Sequence, residues 1–144
     1  MMKWIFIIFI NILIPLQPAW GGDISLRIAS HSIRAAVANT PQSRERGLMQ
    51  HTQLCGNCGM LFVFPKPGKY SFWMKDTPLP LSIAFIAEDG RILNIAEMQA
   101  NSTHTHSAQG NILYALEMNK SWFADHAIKA GDRVDGLQQV PPGQ

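Results

Sequence analysis

The residues best equipped for chemistry in this 144-residue chain are its two cysteines, Cys55 and Cys58, in the stretch "LCGNCGMLFVF". Three chemistries fit that spacing. A redox dithiol needs a thiolate held at a helix N-terminus, usually just after a strand. Here the predicted order is reversed: the pair follows a short helix and runs into an apolar strand, so no helix dipole depresses either sulfur's pKa. A metal site would recruit His104 and His106, which share one face of an extended loop; two thiolates and two imidazoles suit tetrahedral zinc. The third possibility is a Cys55–Cys58 disulfide, which closes so short a loop that it stabilises by only about 2 kcal/mol in the chain-entropy model. The disulfide is the expectation. A metal-dependent or thiol redox enzyme using Cys55, Cys58, His104 and His106 is the alternative.

The stretch "FWMKDTPLP" is the densest second cluster, with Trp73, Lys75, Asp76 and Thr77 at a strand-to-loop junction, where rigid scaffolds present binding groups. Alternation puts Trp73 and Lys75 on one face and Phe72 and Met74 on the other. The simpler alternative lays Lys75 across Trp73 and makes Asp76 to Pro78 an ordinary turn. Glu117, inside the apolar "YALEM", needs a partner, because an unpaired buried carboxylate is costly; Arg46 is the expected one, by ion pairing or by lining the same pocket. Arg46, Trp73, Lys75, Asp76, Thr77 and Glu117 therefore form the candidate ligand-binding set. Met49, Met60, Met74, Met98 and Met118 have the soft thioethers of a copper(I) site. However, Met60 alternates in step with Phe62 and Phe64, and Met74 with Phe72, which is how strands line a core. For catalysis there is little: Ser82 lacks a nucleophile-elbow context, Glu88 and Asp89 fall in a turn, and no phosphate-binding glycine loop occurs. Neither a catalytic residue nor a cofactor is expected.

These groups need a scaffold and a compartment. Lys3, an apolar run from Trp4 to Leu16, and the small-x-small Ala19-Trp20-Gly21 read as a secretory signal peptide over residues 1–21, leaving one domain over 22–144. The run is shorter than the roughly 20 residues that span a bilayer, so no stable membrane anchor is expected after cleavage. The protein is thus expected to be periplasmic or secreted, in an oxidising compartment. A net charge of +2 with scattered basic residues points away from nucleic acid. Period-2 patterning predicts strands at "ISLRI", "SIRAAVA", "GMLFVF", "KYSFWM", "NILYALEM" and "DRVDGL". It also predicts a hairpin over "LSIAFIAEDGRILNIAEMQ" with Asp89-Gly90 as a type I′ turn. Thr40 as N-cap, Pro41 at the first position and Gly47 as stop predict a short helix; "SWFADHAI" predicts a second. "PKPG" reads as a turn and "QQVPPGQ" as a frayed end. The expected fold is mainly β: a compact β-sandwich or partly closed barrel of about eight short strands with two short helices.

The string "RERGLM…GMLFVFPKPGKYSFWMKDTPLPLSIAFIAEDGRI…YALEMNKSWFADHAIKAGDRV" resembles a family of small, often exported bacterial and archaeal proteins known as domain of unknown function 192, from about Ser32 to Val134. The resemblance implies a compact β domain and no established activity. The family's recurrent residues fall on Arg46 to Met49, on Gly59, Met60, Phe62 and Phe64, on Phe72 to Lys75 and Thr77, and on Glu117, Gly131 and Asp132. Three positions depart from it: Asp76 where asparagine is usual, Ser82 where aspartate is usual, and Ser121 where glycine is common. The cysteine pair lies outside the general pattern. Sequence thus points to a non-catalytic binding or accessory module for an unknown small molecule or protein partner.

Overall fold

The computed structural model describes residues 21–144; the expected signal peptide lies, but for Gly21, outside the described residues. In chain order the elements are β1 (Gly21–Ile28), β2 (His31–Ala38), α1 (Pro41–Arg46), β3 (Cys58–Gly68), β4 (Ser71–Phe72), β5 (Leu81–Ile86), β6 (Ile92–Met98), β7 (His106–Ser107), β8 (Ile112–Asn119), α2 (Trp122–Asp125) and β9 (Val134–Asp135). A 3-10 turn, Leu137–Gln139, follows. Seven strands form one sheet in the order β6-β5-β8-β3-β2-β1-β9, while β4 and β7 make a separate ribbon. All neighbours in the large sheet are antiparallel except β2 and β3, which run parallel because α1 carries the chain across between them.

The sheet curls until its two ends meet. Val134 N–H donates to the Gly90 carbonyl at 2.9 Å, Ile92 N–H to Asp132 at 2.9 Å, and Gly131 N–H to Ile92 at 2.8 Å. These bonds satisfy backbone groups at the rim that an open edge would leave bare. The fold is therefore the mainly β, partly closed arrangement expected, with a half-barrel sheet.

Strand alternation sorts the apolar residues onto two faces. Leu61 and Val63 of β3, Leu116 and Met118 of β8, and Ala84 and Ile86 of β5 pack with Trp122, Phe123 and Val134 inside the curl. Met60, Phe62 and Phe64, Ile83 and Phe85, and Ala115 face the other way, under Leu48, Met74 and Ala108. Met60, Met74, Met98 and Met118 are all buried in these clusters, so the thioethers fill core space. Glu117 alternates with Leu116 and Met118, which assigns it to the second face among Met60 and Ile83, its register partners on β3 and β5.

Three local expectations are corrected. The β5–β6 turn is not type I′: Gly90 has φ 87° but Asp89 is absent from the positive-φ residues. Gly90 N–H bonds the Ala87 carbonyl and Ala87 N–H that of Arg91, so a type I turn closes on a left-handed glycine. "PKPG" belongs to the end of β3, past an irregularity between Val63 and Gly68. The C-terminal segment is docked, not frayed: Gln144 N–H reaches the Asn39 carbonyl at 2.7 Å, and Arg44 donates to the Gln144 carbonyl at 2.7 Å.

Candidate binding site

Helix α1 supplies one wall of the site, and its local sequence explains its placement. Thr40 accepts from Ser43 N–H while the Ser43 hydroxyl accepts from Thr40 N–H, closing a capping box before Pro41. Gly47 ends the helix with φ 46° and ψ −132°, and a Cβ there would lie 3.2 Å from the Phe62 ring. Only glycine combines that backbone with so close an approach to the sheet. Leu48 then buries, and Arg46 and Met49 stay at the surface side of the cavity.

The opposite wall comes from the segment after β4. Met74 is buried and Phe72 packs edge-on to Phe62 at 4.9 Å, whereas Trp73 is 49% exposed. The Lys75 ammonium sits 5.6 Å from the Trp73 ring centre, so the lysine does lie across the indole. Asp76 holds φ 54°, a left-handed position that asparagine and aspartate tolerate best, and its carbonyl accepts from Gln50 N–H at 2.8 Å. Thr77 is buried, its hydroxyl donating to the Lys75 carbonyl at 3.1 Å. It belongs to the cavity floor and not to an exposed patch.

Between these walls is a cavity of about 260 Å³ lined by Arg46, Phe62, Phe72, Trp73, Thr77 and Glu117, with Arg44 and Glu45 among its further neighbours. A second depression adjoins it and shares Glu45, Arg46, Met49 and Trp73; Lys75 and Asp76 line that one. The structure thus gathers all six candidate residues around one contiguous surface, with Arg46 and Trp73 common to both hollows.

Glu117 is the unusual group. It is 4% exposed, and among the described residues no ion pair or side-chain hydrogen bond reaches its carboxyl, including from Arg46. The expected Arg46–Glu117 ion pair is therefore absent: Arg46, at the helix end, is an exposed side chain, while the Glu117 backbone is pinned mid-sheet. Every fully enclosed polar side-chain atom among the described residues has a partner, so the Glu117 oxygens meet the cavity and not packed protein. Burial alone pushes its pKa up to about 8, leaving it mostly neutral at pH 7.

The cysteines lie elsewhere and are joined as a disulfide. Their loop is gripped from three elements: Asn119 donates to the Leu54 and Cys55 carbonyls, Arg34 N–H to the Asn57 carbonyl, and the Trp122 indole to the Asn57 side chain at 3.1 Å. With both sulfurs bonded to each other, neither is a thiolate ligand, and the Cys55, Cys58, His104, His106 set does not assemble. His104 and His106 do face each other, rings 4.9 Å apart, and burial together with the neighbouring His104 lowers the pKa of His106. Among the described residues no three His, Cys, Asp or Glu side chains converge as a metal site.

Residues that the sequence reading passed over include the walls Phe62 and Phe72 and the helix residues Arg44 and Glu45. Their role depends on how α1 and β4 pack over β3, seen in the Phe62–Phe72 and Arg44–Phe64 contacts, which no local pattern announces. Another is Glu97. Ser82 donates to its carboxylate at 2.6 and 2.7 Å, and Ser121 N–H reaches both, with Ser121 at φ 65°. A carboxylate therefore stands beside position 82 from the adjacent strand, and the left-handed Ser121 backbone explains why glycine suits that position.

The sequence profile of DUF192, described as an uncharacterized ACR, matches residues 24–136. The chain belongs to the DUF192 family. No curated protein matches this DUF192 domain. Among solved structures it is similar to a candidate transcription regulator from Sinorhizobium meliloti, with 30% identity, TM-score 0.80, and 84% of this chain and 98% of that one covered. It is also similar to a protein of unknown function from Novosphingobium aromaticivorans, with 32% identity, TM-score 0.79, and 83% and 90% covered.

Proposed function

We propose that this DUF192 domain is a non-catalytic binding module that holds a small molecule in the cavity between Arg46 and Glu117, and that it works outside the cytoplasm once its leader is removed. One observation carries the reading: a buried carboxyl with no protein partner opens onto a cavity walled by aromatic rings. A protein that gained nothing from that carboxyl would do better with an apolar side chain, because burying it unpaired costs stability. Aromatic walls with polar groups converging between them, here Arg46, Thr77 and Glu117, are the usual make-up of a ligand site.

The name carried by the Sinorhizobium relative raises DNA binding as a rival. Against it, α1 and α2 have six and four residues, too short for a recognition helix in a major groove, and twelve Lys and Arg nearly balance ten Asp and Glu. A fragment panel screened by NMR should shift the Trp73 indole and Thr77 signals more than those of Trp122, which packs on the opposite face. Shifts confined to other surfaces, or none, overturn the binding reading.

A further inference from the structure

We propose that the cavity recognises a small zwitterion, its ammonium seated against the Glu117 carboxylate and its anionic end held at Arg46. This rests on the binding reading above and adds the ligand's chemical class. A glutamine at position 117 would offer hydrogen bonds without the cost of ionising in a buried place, so what the acid adds is charge. Once ionised, the carboxylate would have no counterpart in the protein: Glu117 is 4% exposed and no cation among the described residues pairs with it. A ligand ammonium supplies one.

The walls favour a cation as well. Phe62, Phe72 and Trp73 line the cavity, and ring faces attract ammonium groups. Two rings of this site already hold cations: the Arg44 guanidinium lies 5.5 Å from the Phe64 ring centre and the Lys75 ammonium 5.6 Å from that of Trp73. The charged groups facing Glu117 across the cavity are Arg44, Glu45 and Arg46, while its strand neighbours present only Met60 and Ile83. With Glu117 ionised, two arginines stand against two glutamates, which suits a ligand of no net charge.

Arg44 is committed, donating to the Val63 and Gln144 carbonyls at 2.9 and 2.7 Å. Arg46 makes no ion pair among the described residues and is the group left to meet an anion. A plain cation would leave Arg46 unanswered, and a plain anion would leave Glu117 so. The volume, about 260 Å³, lies below the range of drug-sized sites and suits a molecule of amino-acid size.

Calorimetry with four probes tests this: glycine betaine and γ-aminobutyrate as zwitterions, tetramethylammonium and butyrate as their halves. The zwitterions should bind about tenfold more tightly than either half, and Glu117→Gln should weaken them by about tenfold or more. Because Glu117 ionises when the ammonium arrives, binding near pH 7 should release roughly one proton per ligand, read by repeating the titration in buffers of different ionisation enthalpy. That measurement needs no variant. Butyrate binding as tightly as the zwitterions, unchanged binding in E117Q, no proton release, or no binding by any of the four overturns the zwitterion class. If fragments nevertheless shift the Trp73 signal, the pocket reading stands alone; if they do not, both fail.

Discussion

Ser82 and Glu97 face each other as register partners on β5 and β6, the serine hydroxyl donating to both carboxylate oxygens and the Ser121 N–H bonding to the pair. The family resemblance implies aspartate at position 82, whereas here the acid beside that position is Glu97 of the next strand. The two arrangements exclude each other. Ser82→Asp should lower stability by about 1–3 kcal/mol at neutral pH, since two carboxylates would then stand opposed beside a buried position. Adding Glu97→Gln should recover most of that loss, so a double-mutant cycle by denaturant unfolding should show strong coupling. Additive losses would mean the two positions do not share one role.

Ser121 itself holds a left-handed backbone at φ 65°. Ser121→Gly should therefore raise stability by about 0.5 kcal/mol, the relief of the Cβ clash outweighing the glycine's extra freedom in the unfolded chain. A lower midpoint in urea would contradict this.

Glu117 sets a pH dependence whose sign follows from its raised pKa. The ordinary value is 4.5 and the folded value about 8, so between them the folded state holds a proton that the unfolded state has lost. Its contribution is intact below the lower value, and stability then falls by about 1.4 kcal/mol per pH unit until it levels above the higher one. Glu117→Gln should abolish this slope, matching the parent protein near pH 4 and exceeding its stability at pH 8. Parallel curves for the two proteins would show that the carboxyl is not the titrating group.

The disulfide is predicted to be a local staple. Replacing both Cys55 and Cys58 by serine should cost about 2 kcal/mol, because the loop closed is so short. Asn57→Ala, which removes the acceptor of the Trp122 indole, should cost about 1 kcal/mol with the disulfide intact. Chelator treatment should leave the unfolding midpoint unchanged.

Export is expected to end in cleavage near Gly21, after the Lys3 charge and the Trp4 to Leu16 apolar run. N-terminal sequencing of secreted protein should begin near Gly22. An intact Met1 in a membrane fraction would contradict it.

Much of the scaffold was legible because it is written locally. Thr40, Pro41 and Gly47 bracket α1 as capping rules require, and the alternation of Met60, Phe62 and Phe64 marks one face of β3. The site residues Arg46, Trp73, Thr77 and Glu117 were legible as types, since a carboxylate in an apolar strand and an indole beside a lysine stand out. Their relationship was not. Whether Arg46 reaches Glu117 depends on how far α1 stands from the sheet, which Gly47 and Phe62 set through a contact between distant parts of the chain. The turn at Asp89-Gly90 departs from type I′ for a related reason: dipeptide composition does not say which residue takes the left-handed conformation, and here only Gly90 does.

The docked C-terminal segment bears on how the protein is handled at the bench. The family match stops at residue 136, which invites trimming for expression, but the residues beyond it hold Arg44 through the Gln144 carbonyl and place Gly143 against the Phe64 backbone, where a Cβ would not fit. A shortened domain would keep its sheet and lose the clasp on one side of its cavity. Ligand screens run on such a fragment would thus sample a looser pocket than the one the full chain carries.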